Sequence, residues 1–189
     1  MAKKFDKIIV VDLEATCWDE TTAAGRKEKG NQVSEIIELG CAAYYPYTYN
    51  TSDPKSFYVR PTTSKISQYC TDLTGYTWDF IRKNGTPFEG ALNRLRKEYG
   101  PKHRVMASWG NYDWYMISQQ CLREDLKFPF GRSHINIKEL HAVYRKLDKA
   151  LGLEAALKYE KLEFVGKPHQ GRDDAYNASR ILGTILRGE

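Results

Sequence analysis

The chain has 189 residues, a length that suits one domain, and 41% of them are hydrophobic, enough to bury a core. A formal charge of +5 favours an anionic partner only mildly, since dedicated nucleic-acid binders are often more basic. Cys17, Cys41, Cys70 and Cys121 form no C-x-x-C pair or zinc-like spacing, and the apolar run of MAKKFDKIIVVD is too short for a signal peptide or membrane span. Reduced thiols and a cytoplasmic location are therefore expected, with no membrane partner.

The elements follow in chain order. Ile8 to Val11 is a β-branched run and reads as a buried central strand. The polar, charged stretch from Asp19 to Asn31 reads as a mobile loop. Glu35 to Tyr45 and Ser56 to Arg60 read as two more strands, each ending at a proline, and the three suggest an antiparallel meander. SKISQYCTDL reads as a short helix closed by Gly75. Phe88, Ala91, Leu92, Leu95 and Tyr99 have helical spacing and stop at Gly100-Pro101. Val105 to Trp109 is a strand, followed by a helix from Asn111 or Asp113 to about Leu122. Ile135 to Ile137 is a short strand, and His141 to about Tyr159 is helical with a break near Gly152. Asp173 or Asp174 opens a last helix with Ala175, Ala178, Ile181, Leu182 and Ile185 on one face. Three strands followed by αβαβα predict an α/β domain with a mixed five-stranded sheet: three antiparallel strands, a parallel βαβ part, and helices on both faces.

Four acidic residues and one histidine fall at the ends of these elements: Asp12 and Glu14 in VVDLEATCW, Asp113 in ASWGNYDWY, and His169 with Asp174 in PHQGRDD. Asp12 and Glu14 are two apart on a strand, so both point to one face. Each feature alone has an ordinary explanation. The strand could be leaving the core, Asp113 and Asp174 could favour a helix N-terminus, and His169 could be a surface residue. Together they describe a carboxylate cluster. Two carboxylates ~4 Å apart repel by about 4 kcal/mol at an effective dielectric of ~20, so cations would be needed to offset the repulsion. Hard oxygen ligands suit Mg²⁺ or Mn²⁺, and a neutral histidine can take a proton from water. That combination suits metal-dependent phosphodiester cleavage.

The set D-x-E, then Asp after an aromatic residue, then H-x4-D resembles the DEDDh class of 3′–5′ exonucleases, which share an RNase H-like fold. The resemblance runs from Ile8 to about Leu186. VVDLEATCW, EIIELG, SWGNYD and HxGxDD are most similar to the Eri-type exoribonuclease branch and its KapD-like bacterial relatives, and CTDLTGY is similar to a helix-and-turn segment of the class. The sister class has a tyrosine four residues before the last aspartate, where this chain has Gln170. The resemblance implies that Asp12, Glu14, Asp113 and Asp174 hold two divalent ions, with His169 as general base. It also implies hydrolysis of the terminal phosphodiester at a 3′ end of single-stranded RNA or DNA, releasing nucleoside 5′-monophosphates. Of the adjacent aspartates, Asp174 fits the spacing and Asp173 is a neighbour.

For the substrate, the resemblance places Leu13 and Ala15 beside the terminal nucleotide. Trp109 and Tyr112 could stack on a base, although such aromatics are more often core, and Trp18 is the expected exposed stacking residue. The basic stretch from Arg82 to Arg104 reads as a solvated helix face rather than a backbone track. The branch resemblance alone favours RNA. A DNA-directed exonuclease of the same class and an inactive nucleic-acid-binding scaffold are the rival expectations. No segment argues for a homodimer or a protein partner.

Overall fold

A computed structural model describes residues 5–188; the basic start of the chain, at residues 1–4, lies outside the described residues. One five-stranded sheet runs in the order β3-β2-β1-β4-β5. Strands β1 (Ile8–Ala15), β2 (Ile36–Tyr45) and β3 (Asn50–Tyr58) pair antiparallel, while β4 (Val105–Ser108) and β5 (His134–Asn136) extend the sheet in parallel from β1. The mixed sheet anticipated from the element order is the sheet observed.

The pleat of β1 sorts its side chains. Ile9, Val11 and Leu13 join one apolar cluster with Leu92 and Leu95 of α4 (Phe88–Tyr99) and Ile117 of α5 (Tyr112–Arg123). Ile8 and Val10 join a second cluster on the opposite face. This one includes Ile137 of α6 (Ile137–Tyr144), Leu157 of α7 (Leu153–Tyr159), and Ala178, Ile181 and Leu182 of α8 (Gly171–Arg187). A fully buried Ile or Leu contributes roughly 1.5–3 kcal/mol, so both faces anchor the central strand. By the same alternation, Asp12 and Glu14 continue the face that Ile8 and Val10 begin, and emerge where that face meets the start of α8.

Several boundaries differ from expectation. The stretch from Asp19 to Asn31 contains a helix, α1 (Ala23–Lys29), rather than a loop throughout. Thr22 caps it by accepting from the Gly25 amide, and a Cβ on Gly25 would lie 2.0 Å from the Asp19 carbonyl oxygen. β3 begins at Asn50 and runs through Pro54, which an edge strand tolerates because one side of its backbone needs no ladder partner. Ile137 starts α6 rather than ending a strand, because the Asn136 side chain caps that helix by accepting from the Glu139 amide. The interruption between α6 and α7 spans residues 145–152 instead of a break at Gly152 alone. Two short helices precede α4: α2 (Gln68–Thr74), closed by Gly75 in the left-handed conformation as anticipated, and α3 (Trp78–Asn84), capped by Thr77. No helix among the described residues is long and apolar enough to cross a membrane.

Candidate active site

Three elements deliver the acidic residues. β1 brings Asp12 and Glu14 on one face, and the first turn of α8 brings Asp174. One carboxylate oxygen from each of these three lies within 4.8 Å of the others. Asp174 is buried, while Asp12 and Glu14 are half-buried. Asp113, in the first turn of α5, is buried beside them, but its Oδ1 accepts the Leu13 amide at 3.0 Å. The structure thus gathers three of the four carboxylates into one group and holds Asp113 next to Asp12 through the main chain of the residue between Asp12 and Glu14.

The electrostatics follow from this crowding. Burial, then the charges of Asp113 and Asp174, push the Asp12 carboxyl well above its ordinary range. Burial and then Glu38 push Glu14 to about 9. Burial also raises Asp113 and Asp174 to about 7 each, against the opposing effect of the Leu13 and His169 main-chain N–H groups respectively. An all-oxygen donor set that holds protons this tightly for want of a counter-charge fits a hard divalent cation such as Mg²⁺ or Mn²⁺.

His169 is exposed in the loop before α8, in a left-handed conformation with φ 58° that non-glycine residues seldom adopt. Its main-chain N–H lies near enough to the Asp174 carboxylate to favour the charged form, so the loop that presents the imidazole adjoins a cluster residue. Asp173 lies outside the cluster. It accepts from the Lys167 amide and from Arg172 Nε, both at 2.9 Å, and so shapes the loop instead.

The candidate substrate residues divide. Leu13 and Ala15 are buried, and the Leu13 amide is taken by Asp113. Trp18 is 5% exposed, so the expected exposed stacking ring is in fact packed inside. Trp109 is half-buried against the α8-face core, with its ring 6.0 Å from that of His141. Tyr112 is the ring left open, at 54% exposure beside Asp113. In the basic stretch, Arg104 pairs with Asp6 at 2.6 Å, Arg94 lies over the Phe57 ring, and Arg96 bonds the Lys127 carbonyl. These contacts fit a structural and solvated face.

One residue of the site was missed. Glu38 of β2 is 0% exposed and lies opposite Glu14 in the β1–β2 register. A carboxylate inside an otherwise apolar, fully buried strand needs partners, and that was its available signal in EIIELG.

A mixed five-stranded sheet with a D-x-E pair on its central strand and a helix delivering a third carboxylate defines an exonuclease of the DEDDh, RNase H-like type. The chain belongs to the exonuclease family RNase_T, whose model matches residues 9–182. It is 30% identical to 3′-5′ exoribonuclease 1 of Homo sapiens over 197 residues, covering 97% of this chain and 53% of the human protein. It is 24% identical to the 3′-5′ exonuclease Snipper of Drosophila melanogaster, covering 97% and 70%. The chain spans about half the length of the mammalian exoribonuclease 1 relatives it matches. Among solved structures, the nuclease domain of 3′hExo, a DEDDh family member bound to rAMP, superposes with a TM-score of 0.83 at 29% identity, covering 99% of this chain and 95% of that one. Cell-death related nuclease 4 shares the fold with a TM-score of 0.78 at 19% identity, covering 98% and 65%.

Proposed function

We propose that the chain is a divalent-metal-dependent 3′–5′ exonuclease of single-stranded nucleic acid, acting on RNA in preference to DNA and releasing nucleoside 5′-monophosphates. The observation that carries this reading is the convergence of Asp12, Glu14 and Asp174 within 4.8 Å on a sheet shared with the family. These three side chains, with Asp113 beside them, would hold two Mg²⁺ or Mn²⁺ ions. When bound, the ions would supply Lewis-acid stabilisation of charge on the phosphate and on the departing 3′ oxygen.

The chain's own residues do the rest. His169, exposed in the loop that leads into α8, takes the proton of the attacking water as a neutral imidazole. Its main-chain N–H, close enough to Asp174 to favour the charged carboxylate, keeps base and carboxylates in one frame. The Leu13 amide fixes the rotamer of Asp113. The exposed ring of Tyr112 offers the terminal base a stacking face. The preference for RNA is supported by the exoribonucleases among the relatives. Free thiols at all four cysteines support a reducing compartment such as the cytoplasm.

Digestion of matched single-stranded RNA and DNA oligonucleotides with Mn²⁺ tests the reading. Faster release of mononucleotides from RNA supports it. Faster release from DNA reverses the substrate order, and cleavage of neither polymer favours a scaffold.

A further inference from the structure

We propose that Glu38 is a positioning residue for the carboxylate cluster: it holds the start of α8, and with it Asp174 and the His169 loop, at a fixed place against β1. This role rests on the metal-site reading above.

Four donors converge on the buried Glu38 carboxylate. Oε2 accepts from the Gly171 amide and from the Tyr76 hydroxyl, each at 2.8 Å. Oε1 accepts from Ser56 Oγ at 2.5 Å and from the Arg172 amide at 3.3 Å. Gly171 and Arg172 are the first two residues of α8, whose amides have no partner within the helix. Gln170, at the cap position, makes no side-chain capping bond. The cap of this 17-residue helix therefore comes from a strand residue 133 positions earlier in the chain.

Two glycines make the contact possible. A Cβ on Gly40 would fall 1.9 Å from the Gly171 carbonyl carbon, and one on Gly171 would fall 2.7 Å from the Asp12 carbonyl oxygen. The first residue of α8 thus rests directly on the sheet between Asp12 and Gly40, which are themselves register partners. Asp174 follows three residues later and His169 precedes by two. Release of the cap would let both drift relative to Asp12 and Glu14, and a misplacement of about 1 Å can cost on the order of 10² in rate. Since Glu38 is buried and its donors all belong to the protein, its loss should fall on turnover and metal use rather than on substrate capture.

The test compares Glu38→Asp and Glu38→Gln with wild type and Asp12→Asn. It reads kcat and KM on a 3′-labelled RNA oligonucleotide, the Mn²⁺ concentration giving half-maximal activity, and Tm with and without Mn²⁺. Glu38→Asp keeps the charge but withdraws it by one methylene. Glu38→Gln keeps the length and one acceptor oxygen, and Ser56 can turn to accept from its amide. The expected result is a kcat at least tenfold lower for Glu38→Asp, a KM within threefold of wild type, and an Mn²⁺ midpoint raised at least threefold, with Glu38→Gln affected less. Wild-type kcat and Mn²⁺ midpoint in both variants, with only Tm lowered, would overturn the role, as would a defect confined to Glu38→Gln, which would indicate charge instead of reach. If Glu38→Asp does not fold, Tyr76→Phe, which removes one donor from Oε2, replaces it: a midpoint raised twofold or more supports the role and an unchanged one overturns it. A wild-type chain that neither cleaves nor gains Tm with Mn²⁺ would remove the metal reading and this role together. Wild-type behaviour of every Glu38 and Tyr76 variant, beside an active wild type and an inactive Asp12→Asn, would remove this role alone.

Discussion

Leu13 donates its main-chain N–H to the Asp113 carboxylate at 3.0 Å, across 100 positions of sequence. This bond joins the central strand to the first turn of α5 at the one residue that lies between Asp12 and Glu14. Asp113→Asn keeps an acceptor oxygen for Leu13, whereas Asp113→Ala leaves a buried amide without one. Asp113→Ala is expected to lower stability by about 1–3 kcal/mol in chemical denaturation, while Asp113→Asn stays near wild type; both are expected to lose activity. Equal stability of the two variants would show that the bond contributes nothing to the fold.

The metal-free protein is expected to become less stable as pH rises. Burial raises Asp113 and Asp174 to about 7 and Glu14 to about 9, above ordinary values of 3.8 and 4.5. A folded-state pKa above the unfolded one means that the folded state holds the proton more tightly. The stability it contributes is complete below the unfolded value and is lost as pH climbs through the folded one. For Asp113 that loss is at most about 1.4 kcal/mol per pH unit. Thermal melts in EDTA should therefore fall from about pH 4 to pH 9, most steeply below pH 7 where all three groups contribute, and the rise in Tm given by Mn²⁺ should grow over the same interval, because ions bind the ionised carboxylates. An Mn²⁺ increment that stays constant with pH would argue against ligation by these groups.

His169→Ala is expected to lower the rate by ~10²–10⁴ while keeping the Mn²⁺ increment in Tm, because the three gathered carboxylates belong to Asp12, Glu14 and Asp174. Turnover at the wild-type rate at neutral pH would take His169 out of the chemistry.

Tyr112 and Trp18 exchange the roles that their sequence positions suggest. Removing an exposed stacking ring costs ~1–3 kcal/mol per base, so Tyr112→Ala should raise KM for oligonucleotides roughly 5- to 150-fold with little change in Tm. Trp18→Ala should instead destabilise the fold by about 3–5 kcal/mol. Urea titrations and substrate saturation curves separate the two effects, and a Tyr112→Ala variant with unchanged KM would leave the ring without a part in binding.

What could be read from the chain follows from where each signal is local. The apolar spacing of Phe88 to Tyr99 gave α4 its limits residue for residue, because both its face and its Gly100 stop lie within one stretch. The D-x-E pair was legible for the same reason: period two on a strand needs no tertiary knowledge. Helix α1, AAGRKEK, was not legible, since it has no apolar stripe and is set by the Thr22 cap and the tight fit of Gly25 against Asp19. Trp18 misled because its burial depends on distant chain. Glu38 stands in EIIELG without a local signal of its role, since its partners Tyr76 and Gly171 lie 38 and 133 positions away.

The most direct measurement is digestion of single-stranded RNA labelled at either the 3′ or the 5′ end, with Mn²⁺, Mg²⁺ or EDTA, for wild type and Asp12→Asn. The expected result is immediate release of labelled mononucleotide from the 3′-labelled strand, progressive shortening of the 5′-labelled strand, dependence on the metal, and loss of both in Asp12→Asn. Release that begins at the 5′ end, persists in EDTA or survives in Asp12→Asn would contradict a metal-dependent 3′–5′ exonuclease built on this carboxylate cluster.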